Sequence, residues 1–191
     1  MVLNKIRDTV NPILANIGGG FAKLGAPPWV WTLFGLVLSL VSMSLYSHHN
    51  FTGGFFGGVF FLLSGFMDVV DGAVAKSTGT ISKFGNFIDS TSDRLGEIAV
   101  YYGILIGNWA SSDIVFLTVT FSLLVSYIRA KGDSLGVDLK GSGLGERAER
   151  MIILSVSSMF GYTYYGILLV SALAILTFVE RSVITMNALK R

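Results

Sequence analysis

"DVVDGAVAKSTGTISKFGNFIDSTSDR", residues 68–94, sets Asp68, Asp71, Asp89 and Asp93 between two long apolar stretches. Ionisable groups at membrane depth are costly and mark functional positions. Asp68 and Asp71 are three residues apart, Asp89 and Asp93 four apart, so each pair shares one helical face. The polar "GAVAKSTGTISK" between them, 72–83, predicts a turn. The two pairs then converge from neighbouring antiparallel helices near a membrane boundary. Four ionised carboxylates that close repel strongly, so either several are protonated or cations hold them. An oxygen-only donor set favours Mg²⁺, Mn²⁺ or Ca²⁺, and the spacing is not that of an EF-hand. A purely structural alternative has the aspartates capping helix ends against Lys76, Lys83 and Arg94.

Outward from this stretch the chain is apolar. Of its 191 residues 52% are hydrophobic and 14% charged, against about 25% charged in soluble domains. The apolar runs predict an all-α integral membrane bundle of six spans, at 29–48, 53–71, 86–107, 112–130, 147–162 and 164–181. With no cysteine, disulfides, thiolate metal sites and cysteine nucleophiles are excluded. "MVLNKIRDTV", 1–10, is not followed by a signal-peptide h-region. Instead Leu3, Ile6, Val10, Ile13, Leu14 and Ile17 recur at helical spacing, predicting an amphipathic surface helix within 1–25 that ends at Gly18–Gly20. The whole of 1–191 reads as one domain, with 29–181 as the bundle. The loops "HHN", "NWASSD" and "GYTYY" carry no Lys or Arg. The basic residues all fall on or near the other side, which marks that side, with both termini, as cytoplasmic.

Gly53, Gly54, Gly57 and Gly58 form overlapping G-x-x-x-G patterns, expected to let helices pack closely. Gly72 follows Asp71, Gly85 stands one turn before Asp89, and Ala75 is small. These positions let a ligand approach the backbone. Glu97 extends the 85–89–93 stripe and reads either as a partner of a cation's ligands or, preferably, as a buried hydrogen-bonded acid. The segment 126–154 clusters Arg129, Lys131, Arg147 and Arg150 around helix ends, with Arg181 ending the last span on the same side. Glu146 and Glu149 offset the arginines locally; the alternative is an anion bound jointly by the arginines and a helix N-terminus.

Asp68-x2-Asp71-Gly72-x2-Ala75-Lys76-x8-Gly85-x3-Asp89-x3-Asp93 resembles the signature of the CDP-alcohol phosphotransferases at every spacing. Two departures stand out. Lys76 replaces the family's usual Arg, keeping the charge but losing the planar fork. Trp29 replaces the Asn of Asn-x-x-Thr, while Thr32 is kept. The resemblance implies transfer of a lipid phosphate from a CDP-lipid to an alcohol with release of CMP, at a site of two divalent cations, Mg²⁺ or Mn²⁺. It implies Asp68, Asp71, Asp89 and Asp93 as metal ligands and Asp93 as general base. It places Thr32, Asp68, Asp71, Gly72, Ala75, Lys76 and Gly85 around the nucleotide, and it implies a homodimer.

The Tyr127-x-Arg129-Ala-Lys131 segment followed by Gly143-x-x-Glu146-Arg147-Ala-Glu149-Arg150 is similar to the phosphatidylinositol-phosphate synthase branch. That implies inositol phosphate as acceptor, with Arg129, Arg147 and Arg181 on its phosphate and Lys131 and Arg150 as second choices. The lipid is CDP-archaeol or CDP-diacylglycerol, with a lean to the archaeal form. Membrane lipids are the remaining partner, and no nucleic acid is expected. Alternatives are the same chemistry with glycerol phosphate, and a divalent-cation transporter, which would need acids along the whole path.

Overall fold

The computed structural model describes residues 16–139 and 141–190. Among the described residues every regular element is a helix: α1 (16–22), α2 (Pro28–Tyr46), α3 (Phe51–Thr78), α4 (Lys83–Ile106), α5 (Ser112–Ser134), α6 (Arg147–Met159) and α7 (Thr163–Leu189). Local signals set the boundaries. Pro28 opens α2, where its missing N–H costs no helical bond. Asn50 caps α3, its side chain accepting from the Gly53 N–H at 2.6 Å. Ser82 caps α4 through the Gly85 N–H at 3.0 Å. The Glu149 carboxylate accepts from the Glu146 N–H at 3.0 Å at the start of α6, the local compensation its spacing suggests.

Several expected boundaries move. α3 continues through "GAVAKST", so the turn predicted over 72–83 is confined to 79–82. Polarity alone does not stop a helix. Gly79, at φ 66°, does so by adopting the left-handed C-cap, and Lys76 in the last turn suits the helix dipole. Likewise α5 and α7 outrun their apolar cores, to Ser134 and Leu189, and α6 stops at Met159.

Leu3, Ile6, Val10, Ile13 and Leu14, and with them most of the amphipathic helix, lie outside the described residues. The described end corrects one expectation, because α1 runs through Gly18–Gly20 to residue 22. A Cβ on Gly18 would come within 2.7 Å of the Ala73 backbone, so the glycine permits close contact with α3 rather than ending the helix. Phe21 meets Trp31 edge-on at 4.9 Å, and Ile17 and Phe21 pack against Met67, Val70 and Val74 of α3.

α2, α3, α5 and α7 are long and apolar enough to cross a membrane. α4 carries Asp89, Asp93, Arg94 and Glu97, which lower its hydropathy, and α6 has only 13 residues. Four of the six expected spans are therefore recognisable from length and composition. α2 packs along both α3 and α4, α6 lies between α3 and α7, and α5 packs on α7. The glycines of α3 work as expected: Gly57 abuts the Tyr46 ring, and a Cβ on Gly58 would come within 2.6 Å of the Ser155 carbonyl. Tyr46, Phe61, Tyr101, Ile104, Leu154, Ile167 and Val170 form the main core. α3 and α4 do not pack along each other among the described residues. α2 holds them apart, and the cleft this leaves contains the aspartates.

Candidate active site

The C-terminal part of α3 supplies Asp68 and Asp71, and the N-terminal half of α4 supplies Asp89 and Asp93. One carboxylate oxygen from each of Asp68, Asp71 and Asp89 lies within 4.8 Å of the others. Were all three ionised with nothing between them, each pair would repel by roughly 3 kcal/mol at an effective dielectric constant of about 20. Thr32 of α2 donates a hydrogen bond to Asp71, tying the helix between the two acid-bearing helices to the cluster. Asp89 Oδ1 is buried and has no hydrogen-bond partner among the described residues. An all-oxygen donor set with a buried, unpartnered carboxylate oxygen fits a hard divalent cation.

Asp93 stands apart from that trio. Its Oδ1 lies 2.8 Å from Arg147 Nη1 and its Oδ2 3.8 Å from Arg94. Arg147 Nη1 also lies 3.3 Å from Asp68 Oδ2. The expected four-aspartate cluster is therefore three converging carboxylates with a fourth joined to them through an arginine.

Two cavities reach the carboxylates, one lined by Asp71 and Asp89 and the other by Asp68 and Asp93. One, of about 370 Å³, is lined by Thr32, Asp71, Gly72, Ala75, Lys76, Gly85 and Asp89. Apart from Asp68, this gathers the whole nucleotide set expected from the sequence. Pro27, Pro28, Trp29 and the 80–82 turn with Asn86 complete its wall. Among the described residues nothing lies within 4 Å of where a Cβ on Gly72 would stand, so the glycine leaves open space there.

The second cavity, about 450 Å³, is lined by Asp68, Asp93, Arg129, Glu146, Arg147, Arg150 and Arg181, with apolar Leu62, Phe66, Val69 and Val125. It collects four of the five basic residues expected at an anion. Lys131 is exposed and lines neither cavity.

The arginines in that wall are not equivalent. Arg150, 1% exposed, donates from Nε and Nη2 to Glu97 at 2.7–3.0 Å and from Nη1 to the Gly145 carbonyl at 2.6 Å. Glu97 also accepts from the Tyr101 hydroxyl at 3.1 Å. Glu97 is thus the buried, hydrogen-bonded acid its position suggested, and Arg150 spends all three of its nitrogens on partners inside the protein. Arg181 is equally buried. Its Nε and Nη2 donate to the Ser142 carbonyl, Nη1 to the Val125 carbonyl and Nη2 to Glu146 Oε1 at 2.9 Å. It braces the loop ahead of α6, where Thr177 Oγ1 also accepts from the Gly145 N–H at 2.9 Å. Arg129 is half-exposed and only 4.0 Å from Glu146 Oε1, and Arg147 faces the aspartates. These two present guanidinium groups to the cavity.

Glu146, Ser142 and Thr177 are the residues that sequence reasoning passed over in this role. The sequence marks Glu146 as a compensating charge and as one position of the 143–150 motif. Nothing local marks it as the acceptor shared by two distant arginines.

The family model for CDP-alcohol phosphatidyltransferases matches residues 26–186. The chain belongs to this family of membrane phospholipid-synthesising transferases, and it is a multi-pass membrane protein. The archaetidylinositol phosphate synthase of Pyrococcus horikoshii is 36% identical over 180 residues, 94% of each chain. The phosphatidylinositol phosphate synthase of Mycobacteroides abscessus is 30% identical over 161 residues, 81% of this chain and 71% of that one. The crystal structure of Mycobacterium tuberculosis phosphatidylinositol phosphate synthase with CDP-DAG bound superposes with a TM-score of 0.78 at 25% identity. The match covers 91% of this chain and 94% of that one. The structure of the same protein in complex with manganese and citrate gives a TM-score of 0.79 at 24% identity, covering 91% and 88%, a likeness of fold.

Proposed function

We propose that the protein transfers the lipid phosphate of a CDP-lipid to inositol phosphate, releasing CMP. The observation that carries this reading is the meeting of two cavities at one carboxylate cluster. One is walled by Thr32, Gly72, Ala75, Lys76 and Gly85, the other by Arg129 and Arg147. The aspartates between them contribute to both walls. Such a site brings a nucleotide-linked lipid and a water-soluble anion to the same place. Two Mg²⁺ or Mn²⁺ ions held by Asp68, Asp71, Asp89 and Asp93 would supply charge neutralisation of the diphosphate and of departing CMP.

The chain's own residues do the rest. Thr32 orients Asp71. Gly72, Ala75 and Gly85 leave room for the nucleotide, and Lys76 adds a positive charge at its edge. Arg129 and Arg147 hold the acceptor's phosphate, so that its free hydroxyl faces the lipid phosphorus. Asp93 takes the hydroxyl proton as the oxygen attacks, the new P–O bond forms and the bond to CMP breaks. An uncharged acceptor would give Arg129 and Arg147 no phosphate to hold at the cavity wall.

The names of the archaeal relatives favour CDP-archaeol as donor over CDP-diacylglycerol. In this reading 1–191 is one domain. α4 and α6 complete six spans, their charges facing the cleft rather than lipid. The Lys and Arg asymmetry puts both termini and the site on the cytoplasmic side, and the chain works as a homodimer, as its family resemblance implies.

The test is incubation of purified protein with CDP-archaeol or CDP-diacylglycerol, Mg²⁺ or Mn²⁺, and inositol phosphate, glycerol phosphate, inositol or serine, with CMP measured. Release with inositol phosphate alone is expected. Release with glycerol phosphate alone would refute the acceptor, and no release with any acceptor would refute the reaction.

A further inference from the structure

The nucleotide-side cavity is built mostly from small or polar side chains. Gly72, Ala75 and Gly85 leave room in it, and Asp71 and Asp89 supply its acids. Among the described residues its lining holds a single aromatic ring, that of Trp29. Trp29 stands three residues before Thr32 on α2, so the two share a helical face. Thr32 is bonded to Asp71. Trp29 starts about 4.5 Å nearer the helix N-terminus, and helical side chains lean towards that terminus. The cavity therefore has a carboxylate end and an aromatic end. Pro27 and Pro28 fix the backbone where α2 begins. Trp31, two residues on, turns away to Phe21 and the core of α3. Trp29 stays 42% exposed, with its indole in the cavity wall.

We propose that Trp29 is the stacking platform for the base of the CDP-lipid, a role that deepens the nucleotide reading above and rests on it. The diphosphate belongs at the end where carboxylates can hold its cations. The base of the same nucleotide then lies towards the other end, against the indole. Gly72, Ala75 and Gly85 give a flat base room but little surface, and Trp29 gives it a face. The Asn usual at this position in the family has no ring to offer. Stacking uses the π-face that every base has, so Trp29 adds affinity without telling cytosine from uracil.

The test is calorimetric titration of the purified full chain in detergent with CMP, UMP and ribose 5-phosphate, each with Mg²⁺. Ribose 5-phosphate keeps the sugar and phosphate but has no base. Trp29→Ala should weaken CMP and UMP alike, by about 5- to 100-fold, and leave ribose 5-phosphate unchanged. Trp29→Phe keeps a ring and should retain most of the affinity. CMP should quench tryptophan emission in wild type and in Trp31→Phe, whose buried indole N–H has no partner among the described residues to lose. The quenching should vanish in Trp29→Phe. Unchanged CMP affinity in Trp29→Ala overturns the platform and leaves the proposed reaction standing; a lower melting temperature beside it would make Trp29 a membrane-interface anchor. An equal loss for ribose 5-phosphate, or a loss confined to CMP, also overturns stacking. Wild-type protein that binds neither nucleotide overturns the nucleotide reading itself.

Discussion

Replacing Arg150 by Met should destabilise the fold rather than weaken its grip on an anion. The side chain is 1% exposed and meets Glu97, itself 3% exposed, through three hydrogen bonds of 2.7–3.0 Å. It also ties the loop carbonyl of Gly145 to α6. Without it, Glu97 keeps only the Tyr101 hydroxyl and becomes a buried carboxylate with no counter-charge. Breaking a buried pair from one side costs about 3–5 kcal/mol. For a chain of this length that lowers the unfolding midpoint by on the order of 10 °C. Thermal unfolding in detergent, followed by circular dichroism, measures the loss. The double variant Arg150→Met with Glu97→Leu should recover most of it, because both charges leave together and apolar groups replace them. At a temperature where the single variant stays folded, its KM for inositol phosphate should remain within a few-fold of wild type. Wild-type stability combined with a large rise in that KM would refute the argument and restore Arg150 as an anion ligand.

Four further variants test the site and the packing around it. Asp93→Asn should lower turnover by about 10²- to 10⁴-fold while CDP-lipid binding, measured by calorimetry, survives; full turnover would remove Asp93 as base. Lys76→Arg should retain CMP release within a few-fold, since Lys76 is exposed at the cavity edge; complete inactivation would show a wall fitted to the narrower ammonium. Gly58→Ala should cost about 1–3 kcal/mol by overpacking, because its Cβ would meet the Ser155 carbonyl at 2.6 Å. Gly72→Ala should leave stability equal or higher, its Cβ meeting nothing within 4 Å, and should raise the KM for CDP-lipid by narrowing the cavity. Equal melting shifts in the two glycine variants would contradict the distinction.

The three- and four-residue spacing of the aspartates, the small residues beside them and the apolar runs were enough to read helices, a membrane setting and an oxygen-only cation site from the sequence. Those properties are local, because a helix face depends on neighbours within about one turn. Helix length was less legible. The polar end of α3 reads like a turn, yet the backbone stays helical until Gly79 supplies a conformation that ends it.

The division of labour among the arginines belongs wholly to tertiary structure. Arg147 and Arg150 lie one turn apart in similar company, but one reaches Asp68 and Asp93 and the other Glu97. Arg181 is committed to a loop carbonyl and a carboxylate more than thirty residues away. A guanidinium's role depends on which acceptors surround it and on whether water can replace them. Helices brought together from distant parts of the chain decide both.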